Sequence, residues 1–130
     1  MMRMDANKLI YQELSYTLVG ILFSVHNELG QYAREKQYCD LIEDKLRLVK
    51  IPYKREFKIA NSGNTVDFLV EDKIILETKS KRILTKEDYF QLQRYLQESK
   101  IKLGLLVNFR NKYIKPVRIV RIDTDNKYKY

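Results

Sequence analysis

Three charged residues interrupt a β-rich stretch of the chain, and their types and spacing suit metal-assisted chemistry. Asp67 lies within the apolar run 66–70, and Glu77 and Lys79 follow the apolar run 74–76. Glu77 and Lys79 are two residues apart, so on a strand their side chains point to the same face. Burying an unpaired carboxylate is unfavourable, but two carboxylates beside an ammonium group offset that penalty if they hold a divalent cation. The pattern therefore indicates a metal-dependent active site on a hairpin.

The turn between the two apolar runs decides whether such a site can form. If Glu71 and Asp72 alone make the turn, Asp67 and Glu77 fall on opposite faces and cannot share a metal. If Lys73 also belongs to the turn, Asp67 lies directly across from Glu77. The catalytic interpretation therefore requires an odd-numbered turn, or a bulge that restores the register.

A bare Glu-x-Lys pattern carries little information in a chain this rich in charge. The structural alternative is a partly exposed salt bridge between Glu77 and Lys79, with Asp67 capping a turn. Among the Glu-x-Lys pairs, only Glu77–Lys79 ends an apolar strand that is paired with a strand bearing an isolated aspartate. The same pattern also occurs at Glu43–Lys45, Glu56–Lys58, Glu71–Lys73 and Glu98–Lys100.

The net charge of the chain favours a polyanionic partner, above all nucleic acid. Lys and Arg number 25 against 17 for Asp and Glu, which gives a formal charge of +8. Cys39 is the only cysteine, so an intrachain disulfide and a cysteine-based zinc site are excluded. The chain shows no signal-peptide pattern and no apolar run near the ~20 residues of a membrane span, so we expect a cytoplasmic protein without membrane contact.

The length of 130 residues favours one domain over residues 1–130, with loose ends at 1–7 and 123–130. Hydrophobic periodicity predicts the order helix, helix, three strands, helix, two strands. We therefore expect an α/β (α+β) fold with a mixed sheet of about five strands flanked by helices. The predicted helices cover 8–29, 33–49 and 85–99, and the predicted strands cover 53–60, 66–70, 74–79, 102–109 and 117–122.

Several details of these elements bear on the site. The alternation in the first strand predicts one shared face for its residues Tyr53, Arg55, Phe57 and Ile59. Glu35 lies in the first turn of the second helix, where a carboxylate suits the helix dipole; it either serves only that purpose or points at the metal. His26 fits a packed or solvent-facing residue of the first helix better than a ligand.

In combination, Asp67, the triplet Glu77-Thr78-Lys79 and Gln91 on the following helix resemble the PD-(D/E)XK nuclease superfamily. More narrowly, the chain resembles the small bacterial GxxExxY proteins over roughly residues 9–122. Tyr32 stands where the glycine of the naming motif is expected, and Val66 stands where a proline often precedes the aspartate. The matching stretches are 29–30, 35–38, 66–73, 77–79, 91 with 95–96, and 103–109.

The resemblance implies a restriction-endonuclease-like core and a metal-dependent nuclease, with DNA favoured over RNA as its substrate. Asp67, Glu77 and Glu35 would then be ligands of Mg²⁺, or alternatively of Mn²⁺. Lys79 would orient or deprotonate the attacking water or neutralise developing charge, and Gln91 would hold Lys79 or the water in position.

The basic residues near this hairpin and near the end of the chain form a second candidate site. They would bind the phosphates of the substrate beside the carboxylates. The alternatives from other functional classes are a catalytically inactive nucleic-acid-binding module and a protein-interaction module on the same fold. A homodimer is left open. The candidate nucleic-acid-binding residues are Lys81, Arg82, Lys86, Arg110, Lys112 and Lys115.

Overall fold

The predicted order of elements, ααβββαββ, is confirmed in the computed structural model, which describes residues 10–122. The first helix begins at Gln12 rather than near residue 8, and the predicted loose ends lie outside the described residues. The other boundaries agree with the predicted ones to within two residues. The helices are α1 (Gln12–Leu29), α2 (Glu35–Leu48) and α3 (Lys86–Ser99), and the strands are β1 (Tyr53–Lys58), β2 (Thr65–Val70), β3 (Ile74–Lys79), β4 (Leu103–Asn108) and β5 (Val117–Val120).

The strands form one mixed sheet in the order β1-β2-β3-β4-β5. β1, β2 and β3 form an antiparallel meander, β3 and β4 are parallel, and β5 returns antiparallel to β4. The parallel step follows from the connection, because a chain that leaves β3 must cross the sheet through α3 before it enters β4. β3 and β4 therefore end at the same edge of the sheet.

Helices cover both faces of the sheet. α1 and α2 pack on one face and α3 packs on the other, so β4 is buried on both sides. This explains its continuous apolar run, since a strand covered on both faces has no solvent-facing positions. On the first face Leu22, Val25 and Ile42 meet the strand residues Phe68, Leu76 and Leu105. On the second face Leu92, Tyr95 and Leu96 meet Leu69, Ile75 and Leu106.

The expectation that alternate β1 residues share one face is wrong. Tyr53 packs against the cluster under α1 and α2, whereas Phe57 and Ile59 belong to the cluster under α3. Between them Glu56 has a φ of 52°, a left-handed conformation that a residue with a side chain rarely adopts in a strand. This residue rotates the strand, so the side chains that follow it point to the other face.

β2 changes face at the matching position. Phe68 packs under α1 and α2, but Val66, two residues earlier, packs under α3. The register pairs Arg55 with Phe68 and Phe57 with Val66, so Glu56 lies across from Asp67 at the bend of the ribbon. Asp67 therefore occupies the one position where the β1–β2 ribbon departs from a regular pleat.

Gly104 predicts a stability effect that tests the packing of α3 on the sheet. A Cβ atom at this position would lie 2.9–3.1 Å from three carbon atoms of the buried Leu92 side chain. We expect Gly104→Ala to lower the free energy of unfolding by about 1–3 kcal/mol, because a filled core must shift to admit a methyl group. Urea unfolding measures this change.

Gly20→Ala is the matched control, because a Cβ atom there meets nothing within 4 Å. Gly20 is exposed within α1, so alanine should raise stability by roughly 0.5–1 kcal/mol through helix propensity. A Gly104→Ala protein as stable as the wild type would contradict the described contact between α3 and β4.

Candidate active site

The turn between β2 and β3 has the odd length that the catalytic interpretation requires. Val70 pairs with Ile74, which leaves Glu71, Asp72 and Lys73 as the turn. Glu71 and Asp72 both have left-handed backbone, with φ of 51° and 55°. The same register, continued by three residues, sets Asp67 across from Glu77.

Main-chain pairing between β2 and β3 ends just before these two carboxylates. The last paired residues are Phe68 and Leu76, whereas β3 stays paired with β4 as far as Lys79 and Asn108. The two strands thus separate at the edge of the sheet while β3 remains supported from its other side. The backbone groups that this split leaves unpaired need other partners.

The carboxylates themselves supply those partners. The Asp67 backbone N–H donates to Glu77 Oε1 at 2.8 Å. In return, the Thr78 backbone N–H and hydroxyl donate to Asp67 Oδ2 at 2.7 and 2.9 Å. These three bonds use one oxygen of each carboxylate, so the second oxygens, Asp67 Oδ1 and Glu77 Oε2, are outside them. Each side chain is fixed in orientation by the strand opposite.

The surroundings of Glu77 disfavour its ionised form. Its side chain is only 10% exposed. Burial, and secondly the nearby Asp67 charge, raise the pKa of Glu77 to about 7, although the bond from the Asp67 backbone and the charge of Lys79 act the other way. Lys79 Nζ lies 4.0 Å from Glu77 Oε2, too far for a hydrogen bond. The local positive charge is therefore too weak to balance both carboxylates.

Gln91 of α3 holds the end of Lys79. Lys79 is the last residue of β3, and its Nζ donates to Gln91 Oε1 at 3.2 Å. The start of α3 is fixed by a capping box in which the Thr85 backbone N–H donates to Asp88 Oδ2 at 2.7 Å. Because Gln91 follows one turn later, this cap determines where its amide meets the lysine.

Glu35 approaches the pair from the other side. It is the exposed first residue of α2 and lines a cleft of about 300 Å³ together with Asp67 and Glu56. Its charge contributes a small upward effect to the pKa of Glu77. In the described part of the chain, however, no three His, Cys, Asp or Glu side chains are grouped closely enough to hold a metal ion together. The structure brings Asp67, Glu77, Lys79 and Gln91 together, with Glu35 at the rim.

Two further residues contact the site without a signal in the sequence. Thr78 is the variable residue of Glu-x-Lys, yet its hydroxyl bonds Asp67, and Cys39 Sγ of α2 lies 3.5 Å from that hydroxyl. Burial and the Asp67 charge raise the pKa of Cys39 to about 12, so this cysteine is a protonated packing residue and no nucleophile. Only these contacts identify them, that of Thr78 with Asp67 and that of Cys39 with Thr78.

The candidate phosphate-binding residues lie on two adjacent loops and at the start of α3. Buried Asn108 joins the loops after β3 and β4: its Oδ1 accepts from the Lys81 backbone N–H at 3.1 Å, and its Nδ2 donates to the Lys81 carbonyl at 2.7 Å. Lys81 Nζ is bound to both oxygens of Asp88 at 2.9–3.0 Å, so this ammonium group is already paired. The remaining candidates are exposed: Arg82, Lys86, Arg110, Lys112 and Lys115.

Comparison with known proteins agrees with this geometry. A family model described as the PD-(D/E)XK nuclease superfamily matches residues 12–122, from the start of α1 to just beyond β5. No curated protein and no solved structure gave a significant match. None of the helices within residues 10–122 has the length and apolar character of a transmembrane span. The five-stranded mixed sheet between helices is consistent with a restriction-endonuclease-like fold, and the chain belongs to the PD-(D/E)XK nuclease superfamily.

Proposed function

We propose that this protein is a metal-dependent nuclease that hydrolyses phosphodiester bonds, with DNA preferred over RNA. The observation that carries this proposal is the interlocked pair Asp67 and Glu77, each oriented by the backbone of the opposite strand. A structural salt bridge would not require two carboxylates side by side at a split in the sheet. Membership of a nuclease superfamily supports the same function.

The metal in this proposal is Mg²⁺, with Mn²⁺ as the alternative, held by Asp67 and Glu77 with Glu35 at the rim. The donor set fits, because Mg²⁺ is commonly bound by one or two carboxylates, with water and substrate phosphate completing its coordination. The bound metal would supply an activated water and stabilise charge on the phosphoryl oxygens. The raised pKa of Glu77 supports a cation here, since a divalent charge would favour the ionised carboxylate.

Lys79 and Gln91 would act on the substrate side of the same site. The Lys79 ammonium group is near enough to Glu77 to share its environment and is restrained by Gln91 at 3.2 Å. In this position Lys79 would orient the attacking water, take up its proton or neutralise charge that develops on the phosphate. Gln91 would be a positioning residue, because its carbonyl oxygen fixes the lysine.

The exposed basic residues on the loops after β3 and β4 would bind the phosphates on either side of the scissile bond. Arg82 and Lys86 come from the first loop and the start of α3, and Arg110, Lys112 and Lys115 come from the second loop. Lys81 would contribute less than the sequence predicted, because Asp88 pairs with its ammonium group. The charge of +8 favours nucleic acid as the polyanionic partner.

The second candidate function is a catalytically inactive nucleic-acid-binding or protein-interaction module. The retention of an oriented pair of carboxylates with a lysine beside them favours catalysis over these alternatives. Within the superfamily we propose a relationship to the GxxExxY proteins, on the strength of Glu35, Tyr38 and the hairpin. A single domain over residues 1–130, a cytoplasmic location and a homodimer stay predictions.

The first test compares cleavage of plasmid DNA in Mg²⁺ by the wild type and three variants. Asp67→Ala should abolish cleavage together with metal binding. Lys79→Ala should lower turnover by about 100-fold or more while DNA affinity changes little, since its charge matters mainly as the bond breaks. Gln91→Ala should be milder than either, because the lysine remains present but is less restrained.

The control variant is Asp72→Ala, which removes a turn carboxylate that lies 3.3 Å from the ammonium group of the exposed Lys54. It should cut as fast as the wild type. If all three site variants also cut at the wild-type rate, the activity belongs to another site or to a contaminating nuclease.

The second test uses Glu77→Gln in protein without metal. Because folding raises the pKa of this carboxyl group from 4.5 to about 7, the folded state holds the proton more tightly. Wild-type stability should therefore fall as the pH rises through this window, and the glutamine variant should escape that loss. In EDTA at pH 8 the variant should be more stable by on the order of 1–3 kcal/mol, with a smaller difference at pH 5.

Millimolar Mg²⁺ or Mn²⁺ should reverse this order of stability between the wild type and Glu77→Gln. The cation should raise the melting temperature of the wild type by mass action and leave that of Glu77→Gln almost unchanged. A wild-type melting temperature indifferent to both metals would count against the proposed metal site, whatever the result in EDTA.

The third test measures duplex DNA binding in EDTA at several salt concentrations. Wild-type affinity should fall steeply with salt, and Lys112→Glu with Lys115→Glu should weaken binding to all sequences alike and reduce the slope. The control protein carries Lys100→Glu and Lys102→Glu, which make the same change in charge. These residues lie near the start of β4, roughly 20 Å from the end of β4 that leads to Lys112 and Lys115. Equal loss in both double variants would mean that net charge, and no particular surface, attracts the DNA.

A further inference from the structure

Two exposed tyrosines lie beside cations on the loops that border the candidate active site. The side chains of Tyr32 and Tyr113 are each 76% exposed. The Arg110 guanidinium carbon lies 5.1 Å from the centre of the Tyr32 ring, and Lys112 Nζ lies 5.5 Å from that of Tyr113. A single exposed aromatic residue is ordinary. Here two ring–cation pairs, whose cations are only two residues apart in the chain, combine aromatic faces with positive charge.

The loop that carries Tyr32 is held by hydrogen bonds. The buried Tyr38 hydroxyl donates to the Gly30 carbonyl at 2.5 Å and accepts from the Ala33 backbone N–H at 3.1 Å. Gln31 Nε2 donates to the Arg110 carbonyl at 3.1 Å, which ties this loop to the one after β4. The position of the Tyr32 backbone is therefore fixed on both sides.

The loop that carries Tyr113 is anchored by a column of rings. Phe109 stacks on Tyr38 with ring centres 4.2 Å apart, and His26 of α1 lies on a nearly parallel plane 6.2 Å from Phe109. His26 Nε2 also forms a hydrogen bond with the Asn111 carbonyl at 2.8 Å. Both tyrosines thus project from supported backbone, which limits the entropy lost when a ligand stacks on them.

This surface lies next to the proposed cleavage site. The Phe109 backbone N–H donates to the Lys79 carbonyl at 2.9 Å, and Asn108 pairs with Lys79 in the sheet. Arg110 comes two residues after Asn108, so its Cα lies within roughly 12 Å of the Lys79 Cα. Tyr32 lies three residues before Glu35.

We infer that Tyr32 with Arg110, and Tyr113 with Lys112, form a stacking surface for unpaired bases of the nucleic acid that the active site cuts. The tyrosine rings would stack on the base faces and the cations would neutralise the flanking phosphates, a combination that binds single strands without sequence preference. Bases in an intact duplex are already stacked on their neighbours and cannot reach the rings. This inference rests on the proposed function and names its substrate class: nucleic acid with a single-stranded segment next to the scissile bond.

The test measures binding in EDTA, where no metal-dependent cleavage occurs, by fluorescence anisotropy. The probes are a fluorescein-labelled oligodeoxythymidylate of twelve nucleotides and a mixed-sequence duplex of the same length. Tyr32→Ala and Tyr113→Ala should each weaken single-strand binding roughly tenfold, within the range for loss of one stacking contact. Duplex affinity should change less than about twofold, and Tyr32→Phe, which keeps the ring, should bind like the wild type.

The matched control is Tyr16→Ala, because Tyr16 is 81% exposed on α1, ten residues before the His26 that touches the second loop. Its affinity for both probes should equal that of the wild type. The inference is overturned if the wild type does not bind the single strand, if Tyr32→Ala and Tyr113→Ala bind it as tightly as the wild type, or if Tyr16→Ala shows the same loss. It is also overturned if both probes lose affinity equally, since the rings would then only support the loops.

These outcomes are independent of the nuclease test. A protein that fails to cut DNA in Mg²⁺ but loses single-strand binding in Tyr32→Ala would retain the stacking surface without the proposed activity. A protein that cuts but shows no effect of either tyrosine would retain the activity without the surface.

Discussion

The reciprocal hydrogen bonding between Asp67 and the Glu77–Thr78 segment is the interaction on which the site depends. Where β2 and β3 separate, backbone N–H groups lose their strand partners, and the two carboxylates replace those partners across the gap. These hydrogen bonds between the two strands have two effects. They satisfy main-chain donors near the sheet edge, and they orient two acidic side chains that would repel each other in the absence of a cation.

The rest of the fold makes that gap possible. β4 keeps β3 in place as far as Lys79, so β2 can part from β3 without loss of the sheet. The left-handed Glu56 turns the β1–β2 ribbon at the position of Asp67. Such backbone strain persists only where the surrounding structure enforces it, and it is common near functional sites. Here the strain coincides with the carboxylate that the sequence singled out.

Local patterns predicted the order of elements and the residues at the centre of the site, because both depend on near neighbours in the chain. The turn length was left open between two and three residues, and the structure shows the odd-numbered turn that the catalytic interpretation requires. The side-chain period of a strand connects Glu77 to Lys79, and the turn length connects both to Asp67. The reversal of faces in β1 was not predicted, because nothing in the alternation of Tyr53 and Phe57 signals a left-handed residue between them.

Contacts between distant parts of the chain could also not be predicted from the sequence. The pairing of Lys81 with Asp88 follows from how α3 docks, so the sequence could not show that this lysine is less available than Arg82. Thr78 likewise has no pattern of its own. Its role depends on a carboxylate eleven residues away that reaches it only because the strands diverge.

Asn108 has a consequence for how this protein can be altered. Its side-chain amide forms two hydrogen bonds with the backbone of Lys81 and one with that of Arg110, at 3.3 Å. One buried side chain therefore holds both loops. An insertion between Lys79 and Lys81, or between Asn108 and Arg110, would pull at least one of these backbone groups out of reach. Substitution of outward-facing side chains on these loops can therefore change which molecules the protein accepts, whereas the Asn108 amide constrains the chain length from the end of each strand to Lys81 and Arg110.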